Sequence, residues 1–265
     1  MKLGSSRPSV FGNCLSRRPF SSQQITSAEQ QGWGVSEQPE QIPETIRQFE
    51  EFIRKDDFPC VGAKSALGRG TLQVHACRSI TSGWDDVRIH RQLLDWAFAY
   101  RKDPGLFRSI AFVFDGPDDL DEKAFEAAMW ERIQSLADKD AWLEQKYDPG
   151  VSSDPEDPHF SLSFGGEAFF VVGMHPHASR PARRFHKPVL VFNLHDQFEQ
   201  LREQKKYESI RSTILKRDEA LAGSVNPMLA RHGEASEALQ YSGRMVDEDD
   251  WQCPFRDKRA DNDKE

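Results

Sequence analysis

Three histidines and three arginines fall within the twelve residues HPHASRPARRFH, His175 to His186. An imidazole nitrogen is a good donor to iron, zinc or copper. In an extended segment, positions i and i+2 point to the same side, so His175 and His177 are expected to face one pocket, with Pro176 stiffening the backbone between them. Arg180, Arg183 and Arg184 follow at once. Guanidinium is a planar fork matched to carboxylates, so the cluster suits an acidic ligand group, or else a solvated basic face. A second candidate is Cys60, in FPCVGAKSALGRG. A thiolate is a strong ligand for haem iron and promotes O–O cleavage, whereas many lone cysteines are small buried hydrophobes. The third is an acidic run, YDPGVSSDPEDPH, whose Asp154, Glu156 and Asp157 offer carboxylates to a guanidinium-bearing substrate, or form an ordinary hydrated loop.

The elements that must position these groups can be read from periodicity. Phe160, Leu162 and Phe164 alternate with serines, Gly165-Gly166 follows, and Ala168 to Met174 is a continuous apolar run. This pattern predicts a hairpin with a primed turn, then a strand covered on both faces. Val189 to Phe192 predicts a third strand. Leu72 to Cys77 alternates weakly, and Ile110 to Phe114 is a compact buried strand ended by Asp115-Gly116-Pro117. Helical spacing marks a segment from Pro43, another through Ile89, Leu93, Trp96 and Tyr100, and a third after Asp119, which forms a capping box with Glu122. One long helix is expected from Gln197 to Ala222, stopped by Gly223. The stretch around Cys60 reads as a Gly-rich connection. Neither GxxxxGK[ST] spacing nor an internal repeat occurs, so a P-loop is excluded. His90 and His195 read as core or capping residues, and Cys253 as packing beneath the site. Together these features give an α+β fold, a single domain whose mixed or antiparallel central sheet is flanked by helices.

The totals narrow the functional class. With 265 residues, 18 Phe and 6 Trp, the chain can bury a sizeable core despite a mean hydropathy of -0.69. A net charge of -8 argues against a nucleic-acid partner and suits a cationic small molecule better. Cys14, Cys60, Cys77 and Cys253 form no CxxC pair, which excludes a zinc ribbon and makes a reducing compartment the default. No apolar run approaches the roughly 20 residues that a bilayer requires, so no membrane partner is expected.

Residues 1–43 read as an extension and linker, residues 44–257 as the folded domain that carries the candidate residues, and residues 258–265 as a frayed charged tail. The first 28 residues contain Lys2, Arg7, Arg17 and Arg18, many serines and no acid before Glu29. They read as a disordered extension of a cytoplasmic protein, or as a transit peptide if the protein is organellar.

The segments FPCVGAKSA, GMHPHASRPARRF with its following strand and FNLHDQFEQLR, and CPF occur in that order between about Ile46 and Arg256. They resemble the YqcI/YcgG family, and within it the haem-dependent N-hydroxylases that oxidise a guanidine nitrogen. The resemblance implies haem b near the His/Arg segment, a guanidine or amine substrate, dioxygen, and an external electron donor. It implies His175 or Cys60 as the axial ligand, with His175 favoured because its loop sits at the end of a rigid sheet strand while Cys60 lies in a Gly-rich connection, His177 and Arg183 at the reacting centre, and Arg180 and Arg184 on the propionates. No CxxCH is present, so the haem would be non-covalent. Two readings stay beside it: a non-haem metal enzyme using His175, His177 and a loop carboxylate such as Asp157, and a non-catalytic small-molecule-binding protein.

Overall fold

A computed structural model describes residues 43–228, 233–247 and 250–259, which belong to one compact unit. The expectations for the N-terminal extension, for Cys14 and for residues 260–265 lie outside the described residues.

Two strands carry the organisation. In β4 (Glu167–Met174) and β5 (Val189–Leu194) successive side chains point to opposite faces of the sheet, so each strand supplies two different surfaces. Phe169 and Val171, with Leu190, Phe192 and Leu194, face α3 (Asp86–Lys102) and α4 (Glu122–Trp142) and build the larger core. Met174 and Val189, with Ala111 and Val113 of β2 (Ser109–Gly116), face the other way, onto Phe49 and Ile53 of α1 (Glu44–Arg54). The sheet is completed by β1 (Leu72–Ser79) and the short β3 (Leu162–Phe164) and has the order β1-β2-β5-β4-β3. The β1–β2 pair is parallel and the others antiparallel, so the sheet is mixed and the α+β expectation holds.

Local chemistry explains most boundaries. Gly165 and Gly166 turn the β3–β4 hairpin with φ of 60° and 80°, a region where glycine has no Cβ penalty. Gly173 has a different reason: a Cβ there would lie 2.8 Å from Phe125 and 3.0 Å from the Tyr241 carbonyl, so its absence lets α4 close on β4.

Four expectations are corrected. Residues after Cys60 form a helix, α2 (Val61–Gly68), with Cys60 as its N-cap, because Ala63, Ala66 and Leu67 outweigh the glycines. The cap of α4 is Asp121, whose carboxylate accepts the Ala124 N–H at 2.7 Å, not Asp119. The long C-terminal helix is two, α5 (Asp196–Glu203) and α6 (Tyr207–Ala222), broken at Lys205, which adopts φ 56°. Lys258 and Arg259, expected in the frayed tail, are paired instead, Lys258 with Asp138 at 2.7 Å and Arg259 with Asp140 at 2.6 Å. A final short helix, α7 (Ala238–Tyr241), packs against β4. No helix among the described residues is long and apolar enough to cross a membrane.

Candidate functional site

The second face of the sheet is only partly covered by α1 and α2, and the gap is a cavity of about 340 Å³. That volume lies in the range of small-molecule sites. Its floor is Phe170, Val172 and Met174 of β4 with Val191 and Asn193 of β5; Ile210, Ile214 and Leu215 of α6 lie on its wall.

Cys60 lines this cavity. As N-cap of α2 it holds its sulfur 3.4 Å from the Ala63 N–H, which points at it. Burial pushes the thiol pKa up, and the Ala63 and Gly62 N–H groups pull partly the other way. A thiolate here is therefore unfavourable on its own, yet a helix N-terminus is ready to stabilise one once a metal shares its charge.

Arg180 and Arg183 line the cavity as well. Arg180 reaches across to α6, where its Nη2 donates to the Asp218 carboxylate and, at 3.0 Å, to the Ser224 carbonyl. Its Nε is buried with no acceptor among the described residues. Arg183 donates to the carbonyls of Tyr241 at 2.8 Å and Gly173 at 3.3 Å; burial lowers its pKa to about 10, opposed by the pull of Asp218. Two guanidinium groups beside one carboxylate leave a positive end to the cavity.

The histidine pair is not assembled as expected. Residues 169, 171, 173 and 175 share the α4 side of the sheet, so His175 stacks on Phe125 with ring centroids 4.3 Å apart and does not line the cavity. The segment turns after Met174, and His177 is exposed, beside Asp119, Asp121 and Arg244 on the surface. Arg184 closes its own loop by donating to the carbonyls of Ala178 at 3.0 Å and Ser179 at 3.1 Å. Asp154 and Asp157 accept backbone N–H bonds two residues on, from Glu156 and His159; Asp154 and Glu156 are exposed, and none of the three acids lines the cavity. Cys253 packs against the α3/α4 core, on the far side of the sheet. Among the described residues no group of three or more His, Cys, Asp or Glu is placed to hold a metal ion, so the triad of His175, His177 and Asp157 is not formed.

Burial holds the His175 pKa at about 4, against the attraction of Glu122. A histidine depressed below its unfolded value destabilises the fold when protons become available. Its contribution is complete above about pH 6.5 and is lost as pH falls toward 4, up to roughly 3 kcal/mol. Urea midpoints for wild type and His175→Gln at pH 7.5 and pH 4.5 should show a smaller acid loss in the variant. Equal losses would refute this role for His175.

Reasoning from sequence missed His195 and Glu237, which both line the cavity. His195 continues the register of Val191 and Asn193, and its Nε2 lies 3.5 Å from Glu237 Oε1. The signal was present as polar Asn193 and His195 alternating with Phe192 and Leu194. It was obscured because Val189 to Phe192 reads as one apolar run.

Comparison with known proteins matches residues 49–256 to the YqcI/YcgG family. A relative named uncharacterized protein YcgG, from Bacillus subtilis (strain 168), is 25% identical over 237 residues, covering 82% of this chain and 90% of its own length. No solved structure matches the chain.

Proposed function

From the premise that this chain belongs to the YqcI/YcgG family, we propose that its cavity binds haem b non-covalently and that the protein is a monooxygenase that N-hydroxylates a guanidine or amine of a small molecule. The observation that carries the reading is Cys60, a sulfur at a helix N-terminus on the wall of an apolar cavity. In that position the Ala63 N–H would stay on the sulfur and soften its charge. At the positive end, the unused Arg180 Nε and the buried Arg183 fit carboxylate groups such as propionates. Arg184 is engaged within its own loop and takes no part. Cys60, rather than His175, would hold the iron, because His175 lies on the opposite side of the sheet.

When bound, haem supplies dioxygen activation with two electrons from an external donor, and a thiolate ligand favours O–O cleavage. The overall conversion would take a substrate N–H to N–OH and release one water, consuming dioxygen, two electrons and two protons. The chain's own task is to hold the substrate nitrogen in a dry pocket, for which Phe170, Val172 and Ile214 provide apolar walls.

The absorption spectrum of protein purified from haem-supplemented cells tests the reading. A red preparation with a Soret band that moves when carbon monoxide meets the reduced form is expected. Colourless protein that takes up no added haemin would sink it.

A further inference from the structure

The two helices after β5 are attached to the fold in different ways. α5 is anchored: Tyr100 OH donates to Asp196 at 2.6 Å, and the Gln197 side chain accepts the Arg108 N–H at 2.6 Å and donates to the Arg108 carbonyl at 2.7 Å. After the left-handed turn at Lys205, α6 runs over the second face of the sheet, where Ile210, Ile214 and Leu215 line the cavity. Among the described residues α6 adds nothing to either apolar core, and its one buried residue is Asp218. A helix draws most of its stability from a packed apolar face, so one whose apolar residues border a cavity belongs to the low end of the local stability range.

A polar tie holds the far part of this helix. Asp218 lies about 16 Å along α6 from Tyr207, and its carboxylate pairs with the Arg180 guanidinium, the two side chains being 6% and 12% exposed. Arg180 also donates to Ser224 Oγ and to the Ser224 carbonyl, both at 3.0 Å, just beyond the left-handed Gly223 that ends the helix. The loop that carries Arg180 is a firm post. Its Ser179 N–H donates to Glu122 of α4 at 2.8 Å, and Arg184 closes it on the Ala178 and Ser179 carbonyls. We propose that α6 is a lid on the cavity, hinged at Lys205 and latched by Arg180 on Asp218 and Ser224, and that release of the latch admits the cavity's ligand. Hinges are a few element-terminal residues that absorb a change in φ and ψ, and Lys205 sits between an anchored helix and a loosely packed one. The inference goes beyond the reading above and holds whatever ligand the cavity takes.

Hydrogen exchange of the full chain, produced without added haem and followed on peptides spanning residues 207–222, tests it. In wild type α6 should exchange as a unit and earlier than α3 and α4. Asp218→Asn should speed that exchange by about 10- to 100-fold, the worth of a hydrogen bond to a charged group, and leave α3 and α4 unchanged. A lid also controls access. Cys60 on the cavity wall should react with N-ethylmaleimide faster in Asp218→Asn at the same pH, while Cys77 and Cys253, on the α3/α4 side of the sheet, keep their rates. Wild-type α6 exchanging together with α3 and α4 would overturn the proposal, as would faster α6 exchange with no change at Cys60, or an equal rise at Cys60, Cys77 and Cys253. Should Asp218→Asn fail to fold, Ser224→Ala, which removes one bond of the latch, should give a smaller rise of the same pattern, and an unchanged Cys60 rate there would count as refutation. None of these readouts involves a Soret band, so failure of the lid and failure of the haem reading are told apart.

Discussion

Replacing Cys60 with alanine is expected to yield protein that folds but no longer retains haem. If the proposed haem site is correct, losing this sulfur should weaken haem binding by more than the roughly 10- to 100-fold that an outer-shell partner costs. The control is built into the site. The sulfur also caps α2 by accepting the Ala63 N–H, so the alanine variant should lose about 1 kcal/mol of stability as well. Serine is a good N-cap and a poor ligand for haem iron, so Cys60→Ser should restore the stability without the spectrum. Titration of haemin into the three proteins, with denaturation curves beside it, separates the two effects. A Cys60→Ser protein with the wild-type Soret band would show that the sulfur is not the ligand.

Asp140→Ala should be the most damaging single change to stability away from the cavity, at about 3 to 5 kcal/mol. The carboxylate is fully buried and sits where three parts of the chain meet. It lies 2.8 Å from His90 Nε2 on α3, 3.2 Å from the Gly165 N–H in the β3–β4 turn, and 2.6 Å from Arg259 Nη1. Removing it leaves a buried imidazole and a backbone donor without their acceptor, which costs more than the interactions themselves contribute. A loss of that size is a large share of the 5 to 15 kcal/mol typical of a folded domain. Asp140→Asn, which keeps an acceptor oxygen, should lose less. Urea unfolding of the three proteins is the measurement, and an alanine variant within about 1 kcal/mol of wild type would contradict this account.

Much of this molecule is written locally. The Gly165-Gly166 turn and the 3.6-residue spacing of Ile89, Leu93, Trp96 and Tyr100 each follow from steric rules acting over a few residues, and both appear in the fold; the alternation from Phe160 yields only the short strand Leu162–Phe164, whose Ser163 is buried like its neighbours. The candidate chemistry of Cys60 and of Arg180 was legible as residue type, because a lone Cys after Pro and a run of arginines stand out in any order of folding. The location of that chemistry was not. A period of two shows that β4 has two surfaces, but not which one an α-helix will cover, and this alone sends His175 to the core while Arg180 and Arg183 reach the cavity. Likewise, the break at Lys205 depends on how α6 crosses the second face, since nothing in the local pattern stops the helix there. The meeting of Cys60, His195 and Glu237 arises only when the order β1-β2-β5-β4-β3 closes. They are far apart in sequence, and it is burial of the two faces of the sheet that brings them to one cavity.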